Sequence, residues 1–360
     1  MRKTIILIVT ESCNLRCKYC YEDNKSTVGN GKEMDFDTAK AIVDHEILEN
    51  DDFDEVSFEF FGGEPFLNFK LMKEVHDYLH SRPQNKKFIC FTTTNGTLVH
   101  GDIKQWLSEH KNTFICGLSL DGTPEMHNTT RDNSFSAIDV DFFANTYPNQ
   151  PIKMTINDDI LPYLSDGIIF LLKKGFKVTP SFAQGVVWSG ESSVIALERE
   201  LKKLVDFYLL NPEYPIDSFI NSYIPAINLY TSFEEKWCGC GNGMRAYFID
   251  GNRYPCQCFT PLACQYDEQA FSLVDFKSTE LFYYEKCDNC MYIPLCSTCY
   301  GNNYIHRGNM AKRDLSICEL NKSVIKAAAY FQTIRLLDKK DLTDEDYATL
   351  KAGKLILNQQ

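Results

Sequence analysis

Residues 10–21, TESCNLRCKYCY, are the stretch on which the interpretation of the whole chain depends. They place Cys13, Cys17 and Cys20 in a C-x3-C-x2-C spacing, directly after the apolar run from Ile5 to Val9. Three soft thiolates on one short loop suit an iron-sulfur cluster, because cysteine sulfur holds the iron in such clusters. A four-iron cluster needs a fourth ligand, and no fourth cysteine lies nearby. The spacing therefore predicts a cluster with one iron open to another molecule.

This loop, with the aromatic Tyr19 just before its last cysteine, resembles the cluster loop of the radical SAM enzymes. The resemblance implies that the open iron binds S-adenosylmethionine (SAM), and that an electron from the cluster cleaves SAM to give a 5′-deoxyadenosyl radical. A structural zinc site and a disulfide loop are the alternatives. Zinc would need a fourth Cys or His in register, and the nearest histidine is His45.

The composition limits the classes of protein to consider. The chain has 360 residues and a formal net charge of −12, which predicts about two domains and argues against a nucleic-acid partner. Of its 15 cysteines, ten lie between Cys238 and Cys318. Such grouping indicates metal centres in a reducing cytoplasm rather than disulfides. Cys90 and Cys116 stand alone in apolar stretches and are expected to be buried small hydrophobes.

The N-terminal stretch MRKTIILIV is predicted to be a buried strand and not a signal peptide, because its apolar core is short and no small-residue cleavage site follows. No apolar run approaches the roughly 20 residues that a membrane-spanning helix needs. We therefore expect a cytoplasmic protein with no membrane partner.

Short apolar runs alternate with amphipathic segments from residue 1 to about residue 210. The strand candidates are Thr4–Val9, Val56–Phe60, Phe88–Thr92, Phe114–Leu120, Ile152–Ile156 and Phe176–Ser181. The helix candidates are Asp35–Glu49, Leu71–His80, Ile103–His110, Ala137–Thr146, Leu164–Lys173 and Val194–Leu210, with Asp35 as the N-cap of the first. The alternation predicts an α/β fold with a parallel sheet. Six strand-helix units also match the partial (β/α)6 barrel that the radical SAM resemblance implies.

In parallel barrels the chemistry lies at the C-terminal ends of the strands, and several motifs follow the strand candidates. Gly62-Gly63-Glu64-Pro65 resembles the GGEP motif of the family, and 94–97 (TNGT) and 119–124 (SLDGTP) resemble motifs of its peptide-modifying branch. Glycine, Asn-Gly and Asp-Gly turns are also common without function. The resemblance assigns these residues to the SAM site: Tyr19, Gly62, Gly63, Glu64, Pro65, Ser119 and Asp121.

The C-terminal part carries a G-x4-C motif from Gly251 to Cys256, then Cys287-x2-Cys290-x5-Cys296-x2-Cys299, and finally Cys318. This layout resembles the SPASM domain. We predict the barrel over 1–210, a junction over 211–236, the SPASM domain with a β-hairpin over 237–322, and C-terminal helices over 323–360. The domain ordinarily carries two auxiliary 4Fe-4S clusters, so the resemblance implies three clusters in all. It assigns one auxiliary cluster to Cys238, Cys240, Cys256 and Cys299. It assigns the other to Cys287, Cys290, Cys296 and Cys318.

Some cysteines depart from the SPASM pattern. Cys238 and Cys240 are only one residue apart, so one of them is a candidate spectator. Cys258 and Cys264 have no place in the pattern, and each is a candidate cluster ligand, substrate partner, free thiol or catalytic hydrogen donor. Zinc is the alternative for the paired cysteines, because zinc ribbons also use C-x2-C.

The resemblance implies an oxidoreductase that modifies a ribosomally made precursor peptide, and we expect a thioether crosslink from a cysteine sulfur to carbon. Carbon-carbon crosslinking and epimerisation are alternatives, as is formylglycine formation by an anaerobic sulfatase maturase. The sulfatase maturases carry an Asp directly after the G-x4-C cysteine as a base, and this chain has Gln257 there.

We expect three partners: the peptide, a reducing flavodoxin or ferredoxin, and a separate leader-binding protein if the barrel and SPASM surfaces do not bind the leader. No leader-binding module is expected ahead of Cys13. The non-enzymatic alternatives are an iron-sulfur electron carrier and a zinc-binding interaction protein.

Overall fold

The computed structural model describes residues 1–81, 83–229, 236–264 and 274–359. Its centre is a set of parallel strands in the first half of the chain. In chain order these strands are β1 (Arg2–Thr10), β2 (Glu55–Gly62), β3 (Lys87–Thr94), β4 (Phe114–Leu118), β5 (Ile152–Ile156) and β6 (Val178–Phe182). All six predicted strands are confirmed, with ends that shift by up to two residues.

Each of these strands lies beside its neighbour in sequence. β1, β2, β3 and β4 pair in parallel in that order, and β5 pairs in parallel with β6. A single parallel bridge, from Ser119 to Lys153, connects the two groups. The predicted mixed α/β fold with a parallel sheet is therefore confirmed.

Helices lie between these strands and after the last of them. They are α1 (Phe36–Leu48), α2 (Phe69–His80), α3 (Gly101–Glu109), α4 (Pro124–Thr130), α5 (Val140–Thr146), α6 (Leu164–Lys173), α7 (Glu191–Leu210), α8 (Ala226–Leu229), α9 (Tyr300–Arg307), α10 (Cys318–Ile334) and α11 (Asp344–Leu357). As predicted, Asp35 caps α1 and accepts a hydrogen bond from the Thr38 amide at 2.7 Å. α4 was not predicted as a helix. Thr123 caps it, and Pro124 occupies its first turn.

The predicted hairpin extends the barrel sheet. Its first strand, β7 (Met244–Tyr247), pairs in parallel with β1, and its second, β8 (Arg253–Tyr254), pairs antiparallel with β7. The pairing buries Ile6 and Ile8 of β1 against Ala246 and Phe248. The cysteine-rich part is thus continuous with the barrel through backbone hydrogen bonds.

A buried ion-pair network reinforces this junction. Lys3 has no exposed surface and contacts Glu46 at 2.6 Å, Asp51 at 2.7 Å and Glu49 at 2.8 Å. Arg245 of β7 contacts Glu46 at 3.1 Å and Glu49 at 2.7 Å. Burial alone would lower the pKa of Lys3, but its three carboxylate partners outweigh burial and raise it. Cations of the chain itself therefore already pair with these carboxylates, two of which lie close to His45.

The predicted junction over 211–236 is packed in its described part, up to residue 229. Asp217 is fully buried and accepts a hydrogen bond from Tyr208 Oη of α7 at 2.9 Å. Residues 230–235 lie outside the described residues. α10 begins at Cys318, before the range 323–360 in which the C-terminal helices were predicted, and Thr343 caps α11 in a capping box with Asp346.

Two further expectations concern the apolar segments of the chain. Cys90 and Cys116 lie in β3 and β4 with 0% and 1% exposure, inside the main hydrophobic core, as predicted. Within the described ranges, no helix has the length and apolar character that crossing a membrane requires.

Candidate active site

A cavity of about 490 Å³ lies over the C-terminal ends of the parallel strands. Strand-end residues form one wall, namely Gly62, Thr94, Ser119, Thr155 and Ser181. Residues from the cysteine-rich part form the opposite wall, namely Gln257, Cys258, Ser297, Thr298, Cys299 and Asn302. The cavity therefore lies between the two cysteine-bearing parts of the chain.

The three cysteines of the first loop all line this cavity. Cys13 Sγ accepts a hydrogen bond from the Leu15 amide at 3.4 Å, and the Cys20 amide donates to the Cys17 carbonyl at 3.2 Å. Burial raises the pKa of the Cys13 thiol to about 12. Burial also raises the pKa of Cys17, and the largest opposing influence is the Arg131 cation, which also lines the cavity. The loop thus presents three thiols together, with a cation close by.

The Gly62-Gly63 turn holds the cysteine loop in place. The Gly63 amide donates to the Thr10 carbonyl at 3.3 Å, and the Glu64 amide donates to the Ser12 carbonyl at 2.8 Å. A Cβ at Gly62 would lie 2.3 Å from the Thr10 carbonyl oxygen, and one at Gly63 would lie 2.3 Å from the Ser12 carbonyl oxygen. These glycines therefore allow the turn to approach the loop backbone, a role that the motif alone did not predict.

Replacement of Gly63 by alanine should displace the cysteine loop. The new methyl would meet backbone atoms of Ser12 and Cys13, which cannot rotate away. We expect loss of the iron bound by this loop and of SAM cleavage. A matched control is Gly175→Ala, where φ is +89° but no atom lies within 4 Å of the added Cβ. That variant should cost about 1 kcal/mol and keep its iron. Equal iron contents in the two variants, measured after reconstitution, would contradict the expectation.

Glu64 is buried at the cavity wall, and the chain's own donors satisfy its carboxylate. Oε1 accepts from Thr94 Oγ1 at 2.7 Å and from the Phe66 amide at 3.2 Å, and Oε2 accepts from the Asn95 amide at 2.9 Å. Burial nevertheless raises the pKa of this carboxyl to about 7. Pro65, which the family resemblance placed in the SAM site, does not line the cavity but begins a short 3₁₀ helix.

Asp121 was also expected at the SAM site, but its side chain is fully buried and does not line the cavity. Its carboxylate accepts hydrogen bonds from Tyr19 Oη, from Thr130 Oγ1 at 2.8 Å, from Arg131 Nε at 2.8 Å and from the Thr155 amide at 2.9 Å. The Arg131 guanidinium in turn lies 5.4 Å from the centre of the Tyr19 ring. Asp121 thus positions the cysteine loop and Arg131, while Tyr19, Arg131 and Ser119 line the cavity itself.

His127 supports Asp121 from behind. Its Nδ1 accepts from the Asp121 amide at 3.3 Å, and its Nε2 donates to Ser134 Oγ at 3.1 Å, since that hydroxyl donates to the Arg131 carbonyl. The ring is fully buried, and burial lowers its pKa to about 4. The folded structure therefore requires a neutral His127.

Acid should destabilise the protein through His127. The unfolded chain binds a proton at this ring below a pH of about 6.5, whereas the folded state resists it until about pH 4. The free energy of unfolding should therefore fall by up to about 3 kcal/mol across this interval. His127→Asn keeps an acceptor near the Nδ1 position and should reduce the fall in urea denaturation series, whereas exposed His45→Asn should not. Identical pH profiles for both variants would contradict the assignment.

The structure brings the predicted ligands of the first auxiliary cluster together, with one further thiol. Cys238, Cys240, Cys256, Cys258 and Cys299 form a continuous series of neighbouring thiols. The Sγ atoms of Cys258 and Cys299 are 3.9 Å apart, and both residues line the cavity. Cys238 is exposed. Cys264 is buried and does not line the cavity, so of the two candidate hydrogen donors only Cys258 faces it.

The predicted ligands of the second auxiliary cluster also lie together, on the far side of Ser297 and Thr298. Cys287, Cys296 and Cys318 line a second, smaller cavity with Arg313 and Asn321. Cys290 lies near Cys287, Cys296 and Cys318.

The sequence did not indicate several polar residues of the main cavity. Glu22 and Lys25 follow the cysteine loop and line the cavity, and burial raises the pKa of Glu22 to about 8. Three lining residues carry a buried oxygen without a hydrogen-bond partner: Glu22 Oε1, Gln257 Oε1 and Asn302 Oδ1. Among the described lining residues, the unsatisfied buried atoms are thus all carboxyl or amide oxygens. The sequence signal for Glu22 was its acidic side chain, which comes two residues after Cys20.

These donor sets fit iron-sulfur clusters. Three cysteines at the strand ends and two groups of at least four in the C-terminal part offer thiolate sulfur, which suits such clusters. Cations lie beside the thiols, as expected where thiolates must form. These are Arg131 near Cys17, Lys25 near Cys20 and Arg313 near Cys296.

Comparison with known proteins agrees with this site. Residues 3–137 match the 4Fe-4S single cluster domain family. The cysteine-type anaerobic sulfatase-maturating enzyme of Clostridium perfringens is 25% identical over 345 residues, covering 81% of this chain and 86% of that protein.

Two solved structures share the fold. Native anSMEcpe with bound AdoMet and Cp18Cys peptide has a TM-score of 0.66 at 21% identity, covering 94% of this chain and 98% of that one. Streptococcus suis SuiB bound to precursor peptide SuiA has a TM-score of 0.57 at 15% identity, covering 88% and 76%. The matched cluster domain and the sequence relatives support the predicted resemblance to the SPASM-type maturases among the radical SAM enzymes, and the solved structures share the fold of this chain.

Proposed function

We propose that this enzyme oxidatively modifies a ribosomally made precursor peptide and forms a thioether between a cysteine sulfur and a carbon of that peptide. One observation carries the proposal. Thiols of the strand-end loop and thiols of the C-terminal part, Cys258 and Cys299, line opposite walls of the same cavity. A substrate in that cavity would lie between a SAM-binding cluster and an auxiliary cluster.

Each cysteine group has a proposed cluster. Cys13, Cys17 and Cys20 would hold the SAM cluster. Two auxiliary clusters would be held by the sets Cys238, Cys240, Cys256, Cys299 and Cys287, Cys290, Cys296, Cys318, for three 4Fe-4S clusters in all. When bound, these groups supply radical generation from SAM and a route for one electron. A flavodoxin or ferredoxin would provide the reducing electron.

The chain's own residues would orient SAM in the cavity. We propose that backbone groups of Gly62 and Gly63 bind the ammonium of SAM, and that Ser119 and Arg131 contact its ribose or carboxylate. Glu64 and Asp121 would support these residues and not bind SAM themselves, because donors of the chain already satisfy their carboxylates.

The unmet hydrogen-bonding capacity of the cavity favours a peptide. Glu22, Gln257 and Asn302 offer buried oxygens that lack donors, and a peptide brings N–H groups that can satisfy such acceptors. The solved neighbours anSMEcpe and SuiB were observed with bound peptides. A separate leader-binding protein remains part of the proposal, since a precursor leader needs a surface beyond this cavity.

The second candidate is a formylglycine-forming sulfatase maturase, and the Clostridium relative favours it. Gln257 lines the cavity directly after Cys256, where that reaction would place a carboxylate base. An amide cannot accept a proton at neutral pH. This difference is why we favour thioether formation.

Reconstitution and peptide assays test the proposal. We expect about 12 irons per chain, 5′-deoxyadenosine release with dithionite, and modification of a cysteine-containing peptide encoded beside the gene. A thioether product loses two hydrogens and no longer reacts with iodoacetamide, whereas formylglycine reacts with a hydrazide reagent. Aldehyde formation in a sulfatase-type peptide, with no crosslink in the encoded peptides, would favour the second candidate. Zinc instead of iron, or iron without SAM cleavage, would exclude both.

A further inference from the structure

Arg313 is a buried cation whose second guanidinium nitrogen has no partner. The residue is 5% exposed and lies in the segment that connects α9 to α10. Its Nη1 donates to the Cys296 carbonyl at 2.6 Å. Its Nη2 is buried without a hydrogen-bond partner.

Such a group is costly unless something satisfies it. Burial of an unpaired charge is strongly unfavourable, and removal of a donor's partners costs its full desolvation. In the described part of the chain, no carboxylate lies within 4 Å of Arg313. Its neighbour Arg307 differs: it pairs with Asp314 at 3.4 Å and donates to the Lys312 carbonyl at 2.8 Å. The charge of Arg313 therefore requires an anionic partner that these residues do not supply.

The surroundings of Arg313 identify the chemistry of that partner. Arg313 lines a small cavity together with Cys287, Cys296 and Cys318. The guanidinium also lies against the ligand loop itself, because it donates to the backbone carbonyl of Cys296. A four-iron cluster held by four thiolates is an anion, because the thiolate charges exceed the charge of its core.

We propose that Arg313 is a redox-tuning residue for the cluster of Cys287, Cys290, Cys296 and Cys318, with Nη2 donating a hydrogen bond to a cluster sulfide or a ligand thiolate. The inference rests on the proposed function, which supplies that cluster. A fixed cation stabilises the reduced form more than the oxidised form, because reduction adds negative charge. Arg313 would thus make the cluster of Cys287, Cys290, Cys296 and Cys318 a better electron acceptor than it would be without this cation.

Redox titration followed by EPR tests this role. The full chain carrying Cys13→Ala, Cys17→Ala and Cys20→Ala leaves the two auxiliary clusters as the signals. In this background, Arg313→Gln should shift one midpoint potential to a more negative value and leave the other unchanged, and Arg313→Lys should shift it less. Arg307→Gln is the matched control. It loosens the same segment without removing the unpaired charge, and should move neither potential.

An unchanged pair of potentials in Arg313→Gln, with full iron content, would overturn the inference. If Arg313→Gln does not retain iron, the proposal is tested on protein that keeps Arg313. Arginine labelled with ¹⁵N in the guanidinium should then show a hyperfine coupling to one reduced auxiliary cluster, and its absence would overturn the proposal. Failure of the proposed function would be distinguishable, because wild-type protein would then lack iron or SAM cleavage.

Discussion

Replacement of Cys17 by alanine should abolish SAM cleavage and remove about four irons per chain, because no other described thiol faces the same wall of the cavity as Cys13, Cys17 and Cys20. The remaining auxiliary clusters should assemble, since their cysteines lie in other elements. Iron and sulfide content and 5′-deoxyadenosine release would be measured together on anaerobically reconstituted protein.

The matched control is Cys90→Ala. Cys90 is equally a free thiol but is fully buried within β3, away from the cavity. Its replacement should cost about 1 kcal/mol of stability through a small void and leave iron content and SAM cleavage intact. SAM cleavage that survives in Cys17→Ala would contradict the assignment of the first loop.

Replacement of Lys3 by methionine should lower the free energy of unfolding by about 3 kcal/mol or more. Lys3 has no exposed surface and contacts three carboxylates, and its loss would leave Arg245 and Lys86 as their remaining cations among the described residues. Urea denaturation would measure the loss. The substitution should also weaken the attachment of β7 to β1, because Glu46 and Glu49 hold Arg245 as well.

The adjacent residue Arg2 provides an exposed ion pair for comparison with Lys3. It pairs with Glu55 at 3.0 Å, but the arginine side chain is 52% exposed. Exposed pairs contribute at most about 1 kcal/mol, so Arg2→Met should change little. Similar destabilisation by the two substitutions would show that burial does not set the strength of the Lys3 network.

Local patterns predicted the elements well. The alternation of apolar runs and amphipathic segments located all six parallel strands, and Asp35 marked the start of α1. Spacing also predicted that Cys13, Cys17 and Cys20 would lie together, whereas the two C-terminal groups were implied by the resemblance to the SPASM domain. These features depend on neighbours in sequence, so sequence alone contains them.

Long-range contacts were harder to predict. A hairpin was predicted within 237–322 but not its pairing with β1, because an edge strand does not specify its partner locally. Asp121 follows a strand like a ligand-binding residue, yet its four hydrogen bonds are to the chain itself. Glu22 and Arg313 became visible as candidates only when their unsatisfied atoms could be located.

The pairing of β7 with β1 limits how this chain can be divided. A fragment that ends before residue 236 would leave β1 as the edge of the sheet, with unpaired backbone groups beside Ile6 and Ile8. Apolar strand edges of this kind promote aggregation. The barrel could therefore not be exchanged as an independent module between proteins, and insertions or deletions in the cysteine-rich part must preserve the register of residues 244–247.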